Sequence, residues 1–278
     1  MTKSHAAAII KFALFLRLIR VDDQAWRKLY PGGRNLLLNS PLEEIKKHNS
    51  NHIIFFVHTG KCAGESILIA LRKTFKEVAT IIEYHCFDAN RLIKELLLNL
   101  SGDSILGGAE ATFVIATRDP LDRWVSSFNW ELYNRFLRKS KAPLMGYRKY
   151  PSVLDLAHGI INKERSALTF GRSGHMGMGI SWYLPRKTLT HLSKHKVYSI
   201  RMENIYEDFN LFASDFVNDF SHVSFKLPVQ LPRTKGSYQQ LYPKGTFADL
   251  KTCKKGDIDK LRHYLRKDYR VNRYIVDI

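Results

Sequence analysis

The chain is predicted to be an α/β protein, with a central, mostly parallel sheet flanked by helices, in a single domain (51–278) behind an N-terminal helical extension (1–50). Three observations lead there. Apolar, β-rich runs of strand length recur, most clearly at Ile53–Val57 and Phe113–Thr117, and each leads into a helix-start signal rather than a hairpin turn. From Asn51 onward strand and helix patterns alternate, as parallel strands joined by crossover helices require. The 278 residues are enough to bury a full core, and no linker-like composition divides them.

The elements follow in order. Ala6–Ile19 is mostly apolar but interrupted by Lys11 and Arg17, too short and too charged to span a bilayer. It reads as a packed amphipathic helix, with peripheral membrane contact as the alternative. The strand Ile53–Val57 precedes a helix at Glu65–Phe75. A short strand at Thr80–Tyr84 and a helix at Ala89–Leu98 come next. The strand Thr112–Thr117 runs into a helix from Pro120 to about Leu137, whose start is well specified: Asp119 suits the N-cap and Pro120 the first helical position. Ser140–Gly179 is rich in Lys, Gly, Pro and Ser, with one modest helical patch at Val153–Ile161, and Gly171–Gly179 reads as a mobile surface loop. A strand at Lys196–Met202, a helix at Ile205–Phe220, a Pro-bounded stretch at Leu227–Tyr242 and a closing helix from Asp257 to about Tyr269 complete the chain.

Composition narrows the function only in part. Lys and Arg number 44 against 26 Asp and Glu, a net charge of +18. Such a field attracts polyanions: nucleic acid, acidic glycan, anionic lipid or a nucleotide. The three cysteines, Cys62, Cys86 and Cys253, suit neither a disulfide framework nor a zinc knuckle, and point to a reducing, cytoplasmic setting. The histidines show no metal-ligand spacing, so no metal is expected.

Two strand-plus-turn segments carry the chemistry. The first is Ile53–Val57 followed by His58-Thr59-Gly60-Lys61-Cys62-Ala63-Gly64-Glu65-Ser66; the second is Phe113–Thr117 followed by Arg118-Asp119-Pro120, Arg123 and Ser126. A helix N-terminus behind a strand is an anion site, because its first N–H groups lack intrahelical acceptors and its dipole end is positive. Two such sites suggest a ligand with two separate phosphate groups. The first turn is not an ordinary nucleotide P-loop: Gly60-Lys61 opens the turn, whereas that loop ends in Lys-Ser/Thr to hold phosphate and Mg²⁺.

These residues resemble the sulfotransferases that use 3′-phosphoadenosine-5′-phosphosulfate, especially the carbohydrate sulfotransferases. The family's first motif is roughly Pro-Lys-Thr-Gly-Gly-Thr-Ser; Lys61, Gly64 and Ser66 match it, while Cys62, Ala63 and Glu65 depart. Its second is Arg-Asp-Pro-x-x-Arg-x-x-Ser, matched at every fixed position by Arg118 to Ser126. Glu83-Tyr84-His85-Cys86-Phe87-Asp88 is similar to the segment of glucosaminyl 3-O-sulfotransferases that holds the catalytic glutamate. Arg233-Thr234-Lys235-Gly236-Ser237 resembles the late loop closing over the nucleotide, Tyr206-Glu207-Asp208 the segment after a later strand, and Asp268-Tyr269 the closing helix.

The resemblance implies a P-loop-like α/β fold and a metal-free transfer from that donor to a hydroxyl, or an amine, of a saccharide, with 3′,5′-ADP as product. Lys61, Glu83 and His85 would be catalytic. The donor would be held by Lys61, Cys62, Ala63, Gly64, Glu65, Ser66, Arg118, Ser126, Arg233, Lys235 and Gly236. Physics asks for the same types. Charge builds on the bridging oxygen as the phosphate leaves, so a fixed cation such as Lys61 lowers the barrier. The acceptor hydroxyl needs a base, which Glu83 supplies with His85 as partner or substitute. Arg118 can fork onto the second phosphate, with Ser126 adding a hydrogen bond. Ser140–Gly179 is the natural lid over the acceptor, which the chain's charge allows to be acidic, and Trp124, Trp130 and Trp182 are candidates for sugar stacking, the first two better suited to the core. An ATP/Mg²⁺-dependent kinase is the alternative enzyme. A basic nucleic-acid-binding protein is the non-enzymatic one, although no nucleic-acid recognition motif is present.

Overall fold

The computed structural model describes residues 52–85, 89–100, 110–137, 145–218 and 249–278. Their centre is a four-stranded, all-parallel sheet in the order β2-β1-β3-β4. The strands are β1 (His52–Val57), β2 (Thr80–Tyr84), β3 (Glu110–Thr117) and β4 (Lys196–Arg201). Ile53 to Val57 of β1 are each at most 1 % exposed, as a central strand covered on both faces must be.

Period-two alternation divides the strand residues between two layers. Ile53, Phe55, Val57, Phe113 and Ile115 face one way, against α2 (Ala89–Asn99), α9 (Arg186–Leu192) and α12 (Arg266–Asp277). Ile54, Phe56, Val114, Ala116 and Ile200 face the other, against α1 (Gly64–Phe75) and α10 (Ile205–Asn218). A third apolar cluster is built on Trp124 and Phe128 of α3 (Pro120–Leu137). It packs with the short helices α4 (Met145–Lys149), α5 (Val153–Ile161) and α6 (Arg165–Phe170) and with α11 (Lys255–Tyr264).

Strands β1–β4 and helices α1, α2, α3 and α10 lie where the pattern places them, within a residue or two wherever they are described. Two expectations are corrected. Residues 171–179 are not a mobile loop: they contain α7 (Gly174–Gly177) and lead into α8 (Ile180–Tyr183). The guanidinium of Arg123, itself 2 % exposed, donates to the carbonyls of His175 at 2.9 Å, Met176 at 2.9 Å and Met178 at 3.3 Å, and Met176 and Met178 are buried. Glycine content signalled a loop, but an internal cation supplies the donors that fix it. The closing helix is likewise two, α11 and α12, broken at Leu265. The break lets Asp268 accept from the Ser181 amide at 2.9 Å and the Ser181 hydroxyl at 2.5 Å. The expected N-terminal helix and the stretch Leu227–Tyr242 lie outside the described residues.

The strand order reverses between β1 and β3: β2 lies on one side of β1, and β3 and β4 on the other. In open parallel sheets the crevice at the carboxyl ends of the strands flanking such a reversal is where ligands bind. Both motif-bearing turns leave the sheet there.

Candidate functional site

The turn after β1 is held by its own backbone. The His58 amide donates to Tyr84 O at 2.9 Å, Thr59 to Val57 O at 3.1 Å, and Cys62 to Thr59 O at 3.3 Å. Lys61 (φ 69°) and Ala63 (φ 58°) both adopt the left-handed conformation. Ala63 is the N-cap of α1 and makes no side-chain cap hydrogen bond, and the first amides of the helix lie at the turn. Such a turn and helix end concentrate N–H groups and partial positive charge at one place.

Lys61 adds a full charge there. Burial first, then the Arg118 charge, pull its ammonium down to about 8. The Nζ lies 4.1 Å from the ring centroid of Trp130 on α3, a cation–π contact. Trp130 thus serves the lysine, whereas Trp124 is fully buried and donates to Gly171 O at 2.9 Å, as a core tryptophan should. Trp182 is partly buried against the first core layer. Cys62 is a packing residue: it is 1 % exposed, and burial pushes its thiol up to about 12.

Arg118 leaves β3 beside this loop and donates to Lys61 O at 3.3 Å. A cleft of about 390 Å³ opens next to it, lined among others by Thr117, Asp119, Arg201, Tyr269 and Arg273. Asp119 caps α3 as expected, its Oδ1 accepting from the amides of Leu121 at 2.8 Å and Asp122 at 3.1 Å. The Tyr269 hydroxyl donates to the same carboxylate at 3.0 Å, which gives the closing Asp-Tyr pair its role in the fold. Arg201 is committed to Asp208, with Nη2 2.7 Å from Oδ1. Ser126 is half-buried on α3.

On the far side of β1 stand the proposed bases. Glu83 pairs with Phe56 across the parallel register and therefore shares its face of the sheet; His85 follows on that same face. His58 donates from Nδ1 to Glu83 Oε1 at 2.6 Å. Its ring stacks on His85 at 3.9 Å, and its carbonyl accepts from His85 Nδ1 at 2.8 Å. Burial works to raise the Glu83 carboxyl, but the hydrogen bond and charge of His58, with His85 and Arg72 beside them, hold it below its ordinary value. Burial and the neighbouring His58 pull His85 down to about 4, leaving a neutral imidazole at neutral pH.

His58 is the residue the sequence reading passed over, since its role depends on β1 and β2 being neighbours. The second omission is Glu131, whose Oε1 accepts from the amide of His175 and lies 3.2 Å from its Nδ1. The structure thus brings together Lys61, Ala63, Gly64, Glu65 and Ser66 at one helix end, Arg118 on one side of it, and Glu83 with His85 on the other. Arg233, Lys235 and Gly236 lie outside the described residues. No group of His, Cys, Asp and Glu able to hold a metal occurs among the described residues, and none of the helices there is long and apolar enough to cross a membrane.

Comparison with family models, with curated proteins and with solved structures finds no match for this chain. Fold and site together define an α/β protein with a cationic strand–turn–helix loop at its switch point.

Proposed function

We propose that the chain is a sulfotransferase on a P-loop-like scaffold, moving a sulfuryl group from 3′-phosphoadenosine-5′-phosphosulfate to a hydroxyl, or an amine, of a saccharide. The observation that carries this reading is the order of groups along the carboxyl edge of the sheet. Glu83 stands on β2 with His85 directly after it, the Lys61 loop follows β1, and Arg118 follows β3. With strands ~4.8 Å apart, that order sets a proton acceptor and a second cation on opposite sides of an anion-binding loop. Sulfuryl transfer needs that sequence of groups: base, acceptor, sulfur, leaving phosphate and second phosphate. ATP chemistry has no use for the last.

The bound donor supplies an electrophilic sulfur on a phosphate leaving group. The chain's residues do the rest. The amides at the start of α1 and the Ser66 hydroxyl hold the 5′-phosphate. Lys61, protonated below about 8, stabilises the charge that builds on the bridging oxygen as the sulfur–oxygen bond breaks. Arg118 binds the 3′-phosphate, and Arg233, Lys235 and Gly236 are the proposed nucleotide-end loop. Glu83, ionised at neutral pH, takes the acceptor's proton, with His85 beside it. His175 packs near Gly60, which sets α7 at the edge of the loop, where the saccharide enters. The net charge of +18 suits an acidic glycan.

Thermal unfolding tests the reading. At one hundred times its dissociation constant 3′,5′-ADP should add about 2.7 kcal/mol of stability, whereas ATP with Mg²⁺ or a short oligonucleotide adds much less. No shift with saturating 3′,5′-ADP refutes it.

A further inference from the structure

Both candidate proton acceptors are held by one residue that the mechanism above does not use. Val57 pairs with Tyr84 at the end of the β1–β2 ladder, so His58 and His85 follow as the next cross-strand neighbours. Alternation puts Phe56, His58, Glu83 and His85 on one face. There the His58 ring lies between Phe56, at 5.7 Å, and His85, at 3.9 Å, with interplanar angles of 27° and 17°. Its Cδ2–Nε2 edge rests on Gly64, where an added Cβ would fall 1.8 Å from Cδ2 and 2.2 Å from Nε2. The ring therefore has little room to turn, and Nδ1 is the nitrogen aimed at Glu83. Because its partner is a carboxylate, Nδ1 is the donor.

We propose that His58 is the positioning residue of this site: its Nδ1–H fixes Glu83, while its ring face and main-chain carbonyl fix His85. One Glu83 oxygen and His85 Nε2 then remain for an acceptor's proton. The role in transfer rests on the sulfotransferase reading; the arrangement itself does not. The groups facing Glu83 are His58 from the turn after β1, His85 from the end of β2 and Arg72 from α1; His85 also faces His175 from α7. Removing the His58 donor while leaving Glu83 buried removes what holds its carboxyl low, so its titration moves upward.

The test uses two substitutions of similar size. The amide nitrogen of asparagine falls where Nδ1 stands, and that of glutamine reaches the place of Nε2. His58→Asn should keep kcat within about threefold and keep the acid limb of the pH profile in place. His58→Gln should lower kcat roughly 10–100-fold, leave the donor KM within about threefold, and move the acid limb up by about one pH unit. Equal loss in both variants, or a His58→Gln enzyme with the parent's profile, overturns the proposal. A second readout is independent of activity. In protein carrying ¹⁵N-labelled histidine, the His58 Nδ1 proton should resonate far downfield, move upfield in Glu83→Gln and vanish in His58→Gln. Its absence from the parent protein overturns the arrangement. Failure of 3′,5′-ADP to bind would instead sink the donor assignment and leave that resonance to decide the placement of Glu83 by His58.

Discussion

Gly64→Ala probes the centre of the site without touching a charge. The new Cβ would sit 1.8 Å from His58 Cδ2, 2.2 Å from Nε2 and 2.5 Å from Cγ, distances no packed pair of heavy atoms sustains. The ring cannot slide away, because His58 is 8 % exposed, its amide is bound to Tyr84 O at 2.9 Å, and His85 and Phe56 lie stacked against it. It must rotate out and give up the 2.6 Å hydrogen bond to Glu83. Overpacking of this kind costs about 1–3 kcal/mol, and loss of a hydrogen bond to a charged group about 1.5–3 kcal/mol. Alanine's better helix propensity returns at most about 1 kcal/mol. The net expectation is a loss of about 2–5 kcal/mol, or roughly 4–20 °C in Tm at ~2–4 °C per kcal/mol for a chain of this size class. Gly60→Ala is the control: its nearest atoms are His175 Cδ2 at 3.6 Å and the Tyr183 hydroxyl at 3.9 Å, ordinary contacts, and its backbone is outside the left-handed region. It should change stability by less than about 1 kcal/mol, with a gain as the more natural sign. Urea titration of the three proteins measures both differences. If Gly64→Ala proves as stable as Gly60→Ala, His58 is not packed against α1 and its ring is not fixed.

Four further outcomes are expected. Lys61, held near 8 by burial, should lose its proton as pH rises through that value, so kcat/KM for the donor should fall about tenfold per unit above it; Lys61→Arg, which cannot deprotonate, should abolish that limb. The sign for folding is opposite. Because the folded state lowers this cation's pKa from 10.5, its charge is a cost below about 8 that is relieved between 8 and 10.5. Lys61→Met should therefore stabilise the fold at pH 7 by roughly 1–2 kcal/mol after allowance for solvent and the Trp130 ring, while abolishing transfer, as a urea titration and an assay of 3′,5′-ADP formed with the sulfated acceptor would record. Arg123→Met strands the carbonyls of the buried Met176 and Met178 and takes a donor from that of His175, so it should cost about 3 kcal/mol or more and expose residues 171–179 to limited proteolysis. Tyr269→Phe removes the donor to the Asp119 cap and should cost about 1–2 kcal/mol without altering far-ultraviolet ellipticity.

Period and punctuation made the sheet legible. Four strand-length runs leading into turn or cap signals matched four parallel strands, and Asp119-Pro120 marked the start of α3 because a cap and a fixed φ are local properties. The features that went unread depend on contacts distant in sequence. Nothing local to residues 171–179 says that a guanidinium lies beneath them, so their glycines read as freedom rather than as close packing. Leu265 breaks the last helix to bring Asp268 to Ser181, 87 residues away in sequence, and helical periodicity alone carries no trace of that. At the site, motif spacing located the residues but not their mutual roles. The pairing of His58 with Glu83 is set by strand order, which the sequence leaves open. Ala63, a departure from the glycine of the resembling motif, gave no turn signal and yet sits at φ 58°.

That departure bears on function. Three unfavourable features meet in one turn: two non-glycine residues in the left-handed region, at about 1–2 kcal/mol each, a helix start without a side-chain cap, and a lysine whose charge burial disfavours. Each has an easy remedy in sequence terms, whether glycine at 61 or 63, serine or aspartate at the cap, or an apolar side chain for Lys61. A turn that only joined β1 to α1 would gain from any of them. A multivalent anion seated in the turn reverses the balance, because it accepts from amides at the helix start, restores the Lys61 proton and ties down the strained backbone through the same contacts. The strain and the lowered lysine are thus two expressions of one requirement, and they rise and fall together: a ligand that stabilises the fold should also raise the Lys61 pKa, whereas one that binds elsewhere will do the first without the second.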